Sequence, residues 1–175
     1  MRGTTDLIGA IAETELTFVC VGTLRNPDGT QDISAVENVV TKIGEAIAQK
    51  GTFHSVVIRS TVLPGTTRGR LMTLLAQTTG SVAGKGFGLA NNPEFTREGS
   101  AVADFREPSR IVIGEIDPQT ADRLVSIYAG IKSPVFRTAA ETAETVKYAD
   151  NSWHALKVVF ANEVDAISRF AGVDG

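Results

Sequence analysis

Apolar positions along this chain alternate between short runs and helical stripes. Asp6 to Ala12 predicts a short helix, and Thr17-Phe18-Val19-Cys20-Val21-Gly22 is an apolar run closed by glycine, the pattern of a buried strand. Arg25 to Asp32 is polar, with Pro27, Asp28 and Gly29, and predicts a loop. Asp32 or Ser34 can cap a helix running to about Gln49, with Val36, Val39, Val40, Ile43 and Ile47 on one face. Ser55 to Arg59 predicts a strand. Pro64-Gly65 punctuates the chain before a helix from about Thr67 to Gln77. Gly80 to Gly86 predicts a loop, and Phe87 to Asn91 and Arg110 to Gly114 predict strands. Asp117-Pro118 places a capping side chain before proline at a first helical position, and that helix runs to about Ala129. After a strand at Pro134 to Arg137, the stretch from Ala139 to Ala171 has no glycine or proline and stops at Gly172. This order predicts an α/β fold with a mostly parallel sheet and a long helix after it.

Ligands of open α/β sheets bind beyond the carboxyl ends of strands. Three predicted strand ends carry small or polar residues: Gly22-Thr23, Ser60-Thr61 and Asn91-Asn92-Pro93-Glu94. Two readings are open, a ligand-facing edge or turns that merely end strands. The long helix is more informative. At 100° per residue Lys147, Asn151, His154, Val158 and Asn162 fall within an arc of about 80°. The other faces carry Val146, Ala149, Trp153, Leu156, Val159 and Phe160, so the helix is expected to be buried. A polar stripe on a buried helix needs partners. Either it lines a cavity, or Lys147 sits in an internal ion pair with a carboxylate. Glu94 and Glu98 flank a proline-containing turn; Glu98 also fits a solvated surface charge.

Composition narrows this little. Of 175 residues 42% are hydrophobic and 21% charged, enough for one ordinary core. The net charge of −3 gives no electrostatic footprint for nucleic acid, while an anionic small ligand needs only a local pocket. The single cysteine, Cys20, can form no internal disulfide or thiolate metal site, and its place in an apolar run suggests an inert core residue. No apolar run approaches the roughly 20 residues of a membrane span, and the start at Met1 has no signal-peptide core. The expectation is a cytoplasmic protein with no membrane, nucleic-acid or metal partner.

The segments Val21-Gly22-Thr23, Arg59-Ser60-Thr61-Val62-Leu63-Pro64-Gly65-Thr66, Asn92-Pro93-Glu94-Phe95-Thr96-Arg97-Glu98-Gly99-Ser100-Ala101 and Lys147-Tyr148-Ala149-Asp150-Asn151 resemble, in order and spacing, the UDP-glucose/GDP-mannose dehydrogenase family. The likeness covers nearly the whole chain. Asn151 to Lys157 and Phe160-Ala161-Asn162-Glu163 are more similar to the GDP-mannose branch. The resemblance implies an NAD-dependent oxidation of a nucleotide sugar's C6 alcohol to a carboxylate, GDP-mannose to GDP-mannuronate, with two NAD reduced and the aldehyde held on a cysteine. It implies the second half of a Rossmann-like sheet over residues 1–137. Residues 138–175 would form the long central helix, which lines the substrate and builds a homodimer.

Roles follow position by position from the resemblance. Thr61 would sit near the nicotinamide with a catalytic water, Glu94 would act as base, Lys147 would stabilise the oxyanion and Asn151 would assist it. Gly22, Thr23, Ser60, Thr61 and Glu98 would line the NAD side. Glu94, Phe95, Thr96, Arg97, Lys147, Asn151, His154 and Asn162 would contact the nucleotide sugar. Leu24, Thr96 and Asp150 depart from the family's usual proline, leucine and uncharged residue. No Gly-x-Gly-x-x-Gly turn and no Gly-Gly-Ser-Cys-like motif occurs in these residues. By the resemblance the first belongs before Met1 and the second after Gly175, so the expected state is a fragment that does not complete the reaction. The alternatives are a UDP-sugar 6-dehydrogenase fragment and a non-catalytic dimerisation module.

Overall fold

The structure is a computed structural model that describes residues 2–173. The outer ends of the two expected segments, residues 1 and 175, lie outside the described residues. In chain order the elements are α1 (Leu7–Glu13), β1 (Leu16–Val19), β2 (Leu24–Arg25), β3 (Gln31–Asp32), α2 (Ser34–Lys50), β4 (His54–Ile58), a π-helical turn (Thr67–Leu71) that leads into α3 (Met72–Thr79), β5 (Phe87–Asn91), α4 (Ala101–Arg106), β6 (Ile111–Glu115), α5 (Pro118–Ile127), β7 (Val135–Ala139) and α6 (Ala140–Phe170).

Five strands make one sheet in the order β1-β4-β5-β6-β7. All pairs are parallel except β5–β6, which run antiparallel. The mostly parallel α/β architecture is therefore the one the pattern predicts. On one side of the sheet α1, α2, the π-helical turn and α3 bury Ile11, Val36, Val40, Ile43, Ile47, Leu71 and Leu75 against β4 and β5. On the other, α5 packs Ala121, Leu124 and Tyr128 against Val57, Ala90 and Ile113. Every residue of β4 and β5 is buried, as central parallel strands require. Close helix packing is local chemistry: a Cβ on Gly44 would lie 1.9 Å from the Thr78 hydroxyl, so glycine lets α2 and α3 touch. The Asp117 carboxylate caps α5 from Thr120 N and also accepts Leu89 N at 2.7 Å, fixing helix to strand.

Several expectations are corrected. The polar stretch Arg25 to Asp32 is not all loop; β2 and β3 pair antiparallel. Strand β1 ends at Val19, because its carbonyl is taken by the amides of Arg59 and Ser60 and the chain peels away at the next residue. Cys20 is consequently exposed rather than a core residue. A short α4 forms where none was expected. The largest correction concerns α6. It buries only Ala140, Ala143, Glu144 and Lys147; from Asn151 to its end almost every side chain is exposed. Its apolar surface is real, but it projects from the body instead of running through it. Among the described residues no helix is long and apolar enough to cross a membrane.

Candidate functional site

Adjacent β1, β4 and β5 bring the three polar strand ends to one edge of the sheet. There β6 runs antiparallel to β5, so on that side no parallel strand accompanies the chain leaving β5, and a cleft of about 400 Å³ opens beside it. Its walls are the segment from Asn92 to Arg97, part of α4 and the turn before β6, with Arg59 and Tyr128 at the back and the base of α6 above. Lys147, Asn151 and His154 line it together, as their helical spacing predicts. Val158 and Asn162 lie further along the exposed part of α6 and do not line it.

The centre of the cleft is an ion pair. Lys147 Nζ donates to Glu94 Oε1 at 2.9 Å, and the lysine side chain is 8% exposed. Glu94 Oε2 accepts from the Thr96 amide at 2.6 Å and from its hydroxyl. Burial pushes the Glu94 carboxyl up, but the hydrogen bonds from Thr96 and Lys147 together outweigh it and hold the group below the usual carboxylate range. The two readings of Lys147 thus converge, since the carboxylate that pairs with it stands in the cleft. Two cations stand against the Phe95 ring, the Arg110 guanidinium 4.1 Å and Lys147 Nζ 5.5 Å from its centre. Arg110 also pairs with Asp150 at 2.6 Å, and His154 is 3.9 Å from the same carboxylate. Arg97 clamps Asp104 at 2.7 Å, and its hydrogen bonds hold that acid well below its ordinary value.

Sequence reading missed several of these residues. Arg59 donates to Asn92 Oδ1 and Tyr128 Oη, both at 2.9 Å, and the Tyr128 hydroxyl donates to the same Asn92 oxygen at 2.6 Å. Among the described residues Arg59 has no carboxylate partner, whereas Lys147, Arg97 and Arg110 each have one. Only the Arg59 position within a recognised segment could have flagged it.

The other predicted residues form a second group. Ser60 Oγ donates to the carbonyls of Val19 and Val21, Thr23 Oγ1 donates to Thr61 O at 3.1 Å, and Gln31 Nε2 donates to Thr61 O at 2.8 Å. The loops after β1 and β4 are therefore cross-braced, with Gly22 exposed and, among the described residues, nothing within 4 Å of where its Cβ would stand. That backbone is open to close approach by a flat or phosphorylated ligand. Glu98 joins neither group; it is exposed and forms no ion pair among the described residues. Crowding around Cys20 raises its thiol more than the Arg59 charge lowers it, so its protonated form is favoured and it is a poor nucleophile. No cluster of three or more His, Cys, Asp or Glu side chains suited to a metal occurs among the described residues.

Residues 1–132 match the UDP-glucose/GDP-mannose dehydrogenase family, NAD binding domain. The whole chain is 45% identical to GDP-mannose 6-dehydrogenase of Pseudomonas aeruginosa and covers 40% of that protein. It is 37% identical to a UDP-glucose 6-dehydrogenase of Haloferax volcanii, covering 99% of this chain and 41% of that one. Among solved structures, a ternary complex of GDP-mannose dehydrogenase from Pseudomonas aeruginosa superposes with a TM-score of 0.95 at 45% identity over 98% of this chain and 39% of its own. A UDP-glucose dehydrogenase from Pyrobaculum islandicum gives 0.92 at 43% identity, with the same coverage of both chains. The chain thus spans about 40% of the length of the curated relatives it matches.

Proposed function

This chain belongs to the UDP-glucose/GDP-mannose dehydrogenase family, and from that premise we propose that it carries the cofactor edge and half of the substrate cleft of an NAD-dependent GDP-mannose 6-dehydrogenase. The observation that carries the reading is the Lys147–Glu94 pair inside the cleft at the carboxyl edge of the sheet. When bound, NAD would supply the hydride acceptor. Gly22, Thr23, Ser60 and Thr61 would hold it, and the open backbone at Gly22 and the braced hydroxyls of Thr23 and Ser60 fit that task. Glu98 stands apart from that edge and fits it poorly.

On the substrate side, Glu94 would accept a proton, since its environment favours the carboxylate. Lys147, positioned and largely shielded from water, would stabilise a developing oxyanion, with Asn151 beside it. Arg59, a cleft cation with no carboxylate partner among the described residues, suits the negative diphosphate of a nucleotide sugar. Phe95, Thr96, Arg97 and His154 would shape the sugar pocket. Asn162 would have to act from outside the cleft.

The exposed apolar length of α6 supports a homodimer through that helix. The lone thiol supports a reducing, cytoplasmic setting. We divide the chain into an NAD-binding unit over residues 1–137 and, from residue 138 onward, a second unit built on α6 (Ala140–Phe170).

The test is NADH formation, followed by absorbance, with NAD and either GDP-mannose or UDP-glucose. The full-length protein is expected to oxidise GDP-mannose in preference to UDP-glucose, and the 175-residue chain alone is expected to give no turnover, having neither the glycine-rich turn nor a second cysteine. Preference for UDP-glucose would move the substrate to the sister branch. Steady turnover by the 175 residues would overturn the assignment of the nucleophile to another part of the protein.

A further inference from the structure

Glu144 is a buried carboxylate, 1% exposed, that plays no part in the roles proposed above. One helical turn before Lys147, it faces inward from α6 and touches a segment nearly 80 residues earlier in the chain. Its Oε2 accepts the Gly65 amide at 2.6 Å and its Oε1 accepts the Thr67 amide at 2.8 Å. Thr67 opens the π-helical turn that continues as α3, so these amides lie at a helix start, where free N–H groups and the helix dipole favour an anion. Gly65 has φ 89°, a left-handed conformation that presents its amide toward α6. A second tie, Arg68 to Glu141 at 2.6 Å, is half-exposed and worth little by comparison.

The tie joins the two groups of site residues. The segment held by Glu144 follows directly on Ser60 and Thr61, whose other side is braced by Thr23 and Gln31. The helix that carries Glu144 also carries Lys147 and Asn151 into the cleft. We infer that Glu144 is a positioning residue, one that locks the Ser60–Thr67 loop to α6 and so sets the placement of the NAD side relative to Lys147. The inference rests on the reading given under "Proposed function". It is specific to a carboxylate: two N–H donors need an acceptor on both oxygens, and glutamine must turn its NH₂ toward one of them.

The experiment compares wild-type, Glu144→Gln and Glu144→Asp forms of the full-length protein in two measurements. Hydrogen exchange at Gly65 and Thr67 should rise at least about tenfold in Glu144→Gln while the core strands stay protected. With NAD and GDP-mannose, kcat should fall about 10- to 100-fold, as expected when reacting groups are misplaced by about an ångström. Both KM values should stay within about threefold, because the binding residues are untouched. Glu144→Asp, anionic but one methylene short, should lie between the two, and it decides the matter if the glutamine variant does not fold. Unchanged exchange at the two amides would overturn the tether. Faster exchange with unchanged kcat would reduce Glu144 to a structural brace. A wild-type protein inactive on GDP-mannose would sink the functional reading and the catalytic half of this inference, while exchange would still decide the tether.

Discussion

Glu94 spreads three hydrogen bonds over two oxygens, and one of them comes from the Thr96 hydroxyl. Each favours the ionised form against the opposing pull of burial. Thr96→Val keeps the shape and the amide bond but removes the hydroxyl, so the Glu94 pKa should rise. If Glu94 is the base, the acid limb of the kcat profile should move to higher pH, by roughly half a unit to one unit for one lost hydrogen bond. An unmoved limb would separate Glu94 from the proton-transfer step. His54 gives a prediction about stability. It is fully buried, with Nε2 2.8 Å from Thr17 Oγ1 and Nδ1 3.0 Å from Thr14 O. Burial, then the Lys50 charge, pushes its pKa down to about 4. The unfolded chain binds that proton near pH 6.5, so stability is full above 6.5 and is lost as pH falls toward 4, by about 3 kcal/mol at most. Denaturant midpoints across that range should slope less in His54→Gln than in the wild type.

At the level of elements, β6 and α6 meet where Gly114 leaves no room. A Cβ there would lie 2.7 Å from the Ala143 Cβ and 2.8 Å from the Ala140 backbone. Gly114→Ala should cost about 2 kcal/mol and push the base of α6 off the sheet, lowering activity of the full-length protein more than a stability-matched core variant does. An alanine variant with native melting and native activity would contradict that packing.

Much of this arrangement was legible in sequence because its causes are local. The Asp117-Pro118 start of α5, the run in β4 and the stripe of Lys147, Asn151 and His154 each depend on spacing within one element. Others depend on distant partners. Glu144 gives no sign of Gly65 and Thr67, since nothing in its own surroundings in sequence holds two amides. The short α4 buries no residue, so no apolar stripe announces it. The end of β1 is decided by amides of the neighbouring strand, which is why Cys20 reads as core and emerges exposed. In α6 an all-round apolar pattern is the same for a core helix and for one that awaits a partner surface.

For the whole molecule that last ambiguity is the dominant fact. Trp153, Leu156, Val159, Phe160, Val164, Ile167 and Phe170 are exposed on α6, Phe170 at 96%. Light scattering across a concentration series should find the chain self-associated, and Phe160→Asp should weaken that association with little change in the melting of the sheet. A monomer at every concentration would leave the apolar length without an explanation.

The α6 helix has 31 residues, about 46 Å of rod, and only its first two turns or so are seated on the body. Such a rod is a lever with its fulcrum beside Lys147. A tilt of roughly 5° moves its free end by about 3 Å but the lysine by only a fraction of that. Whatever grips the outer end therefore trims the angle at the cleft with a large mechanical advantage, and the aim of the Lys147 amine becomes a property of the grip as much as of the fold.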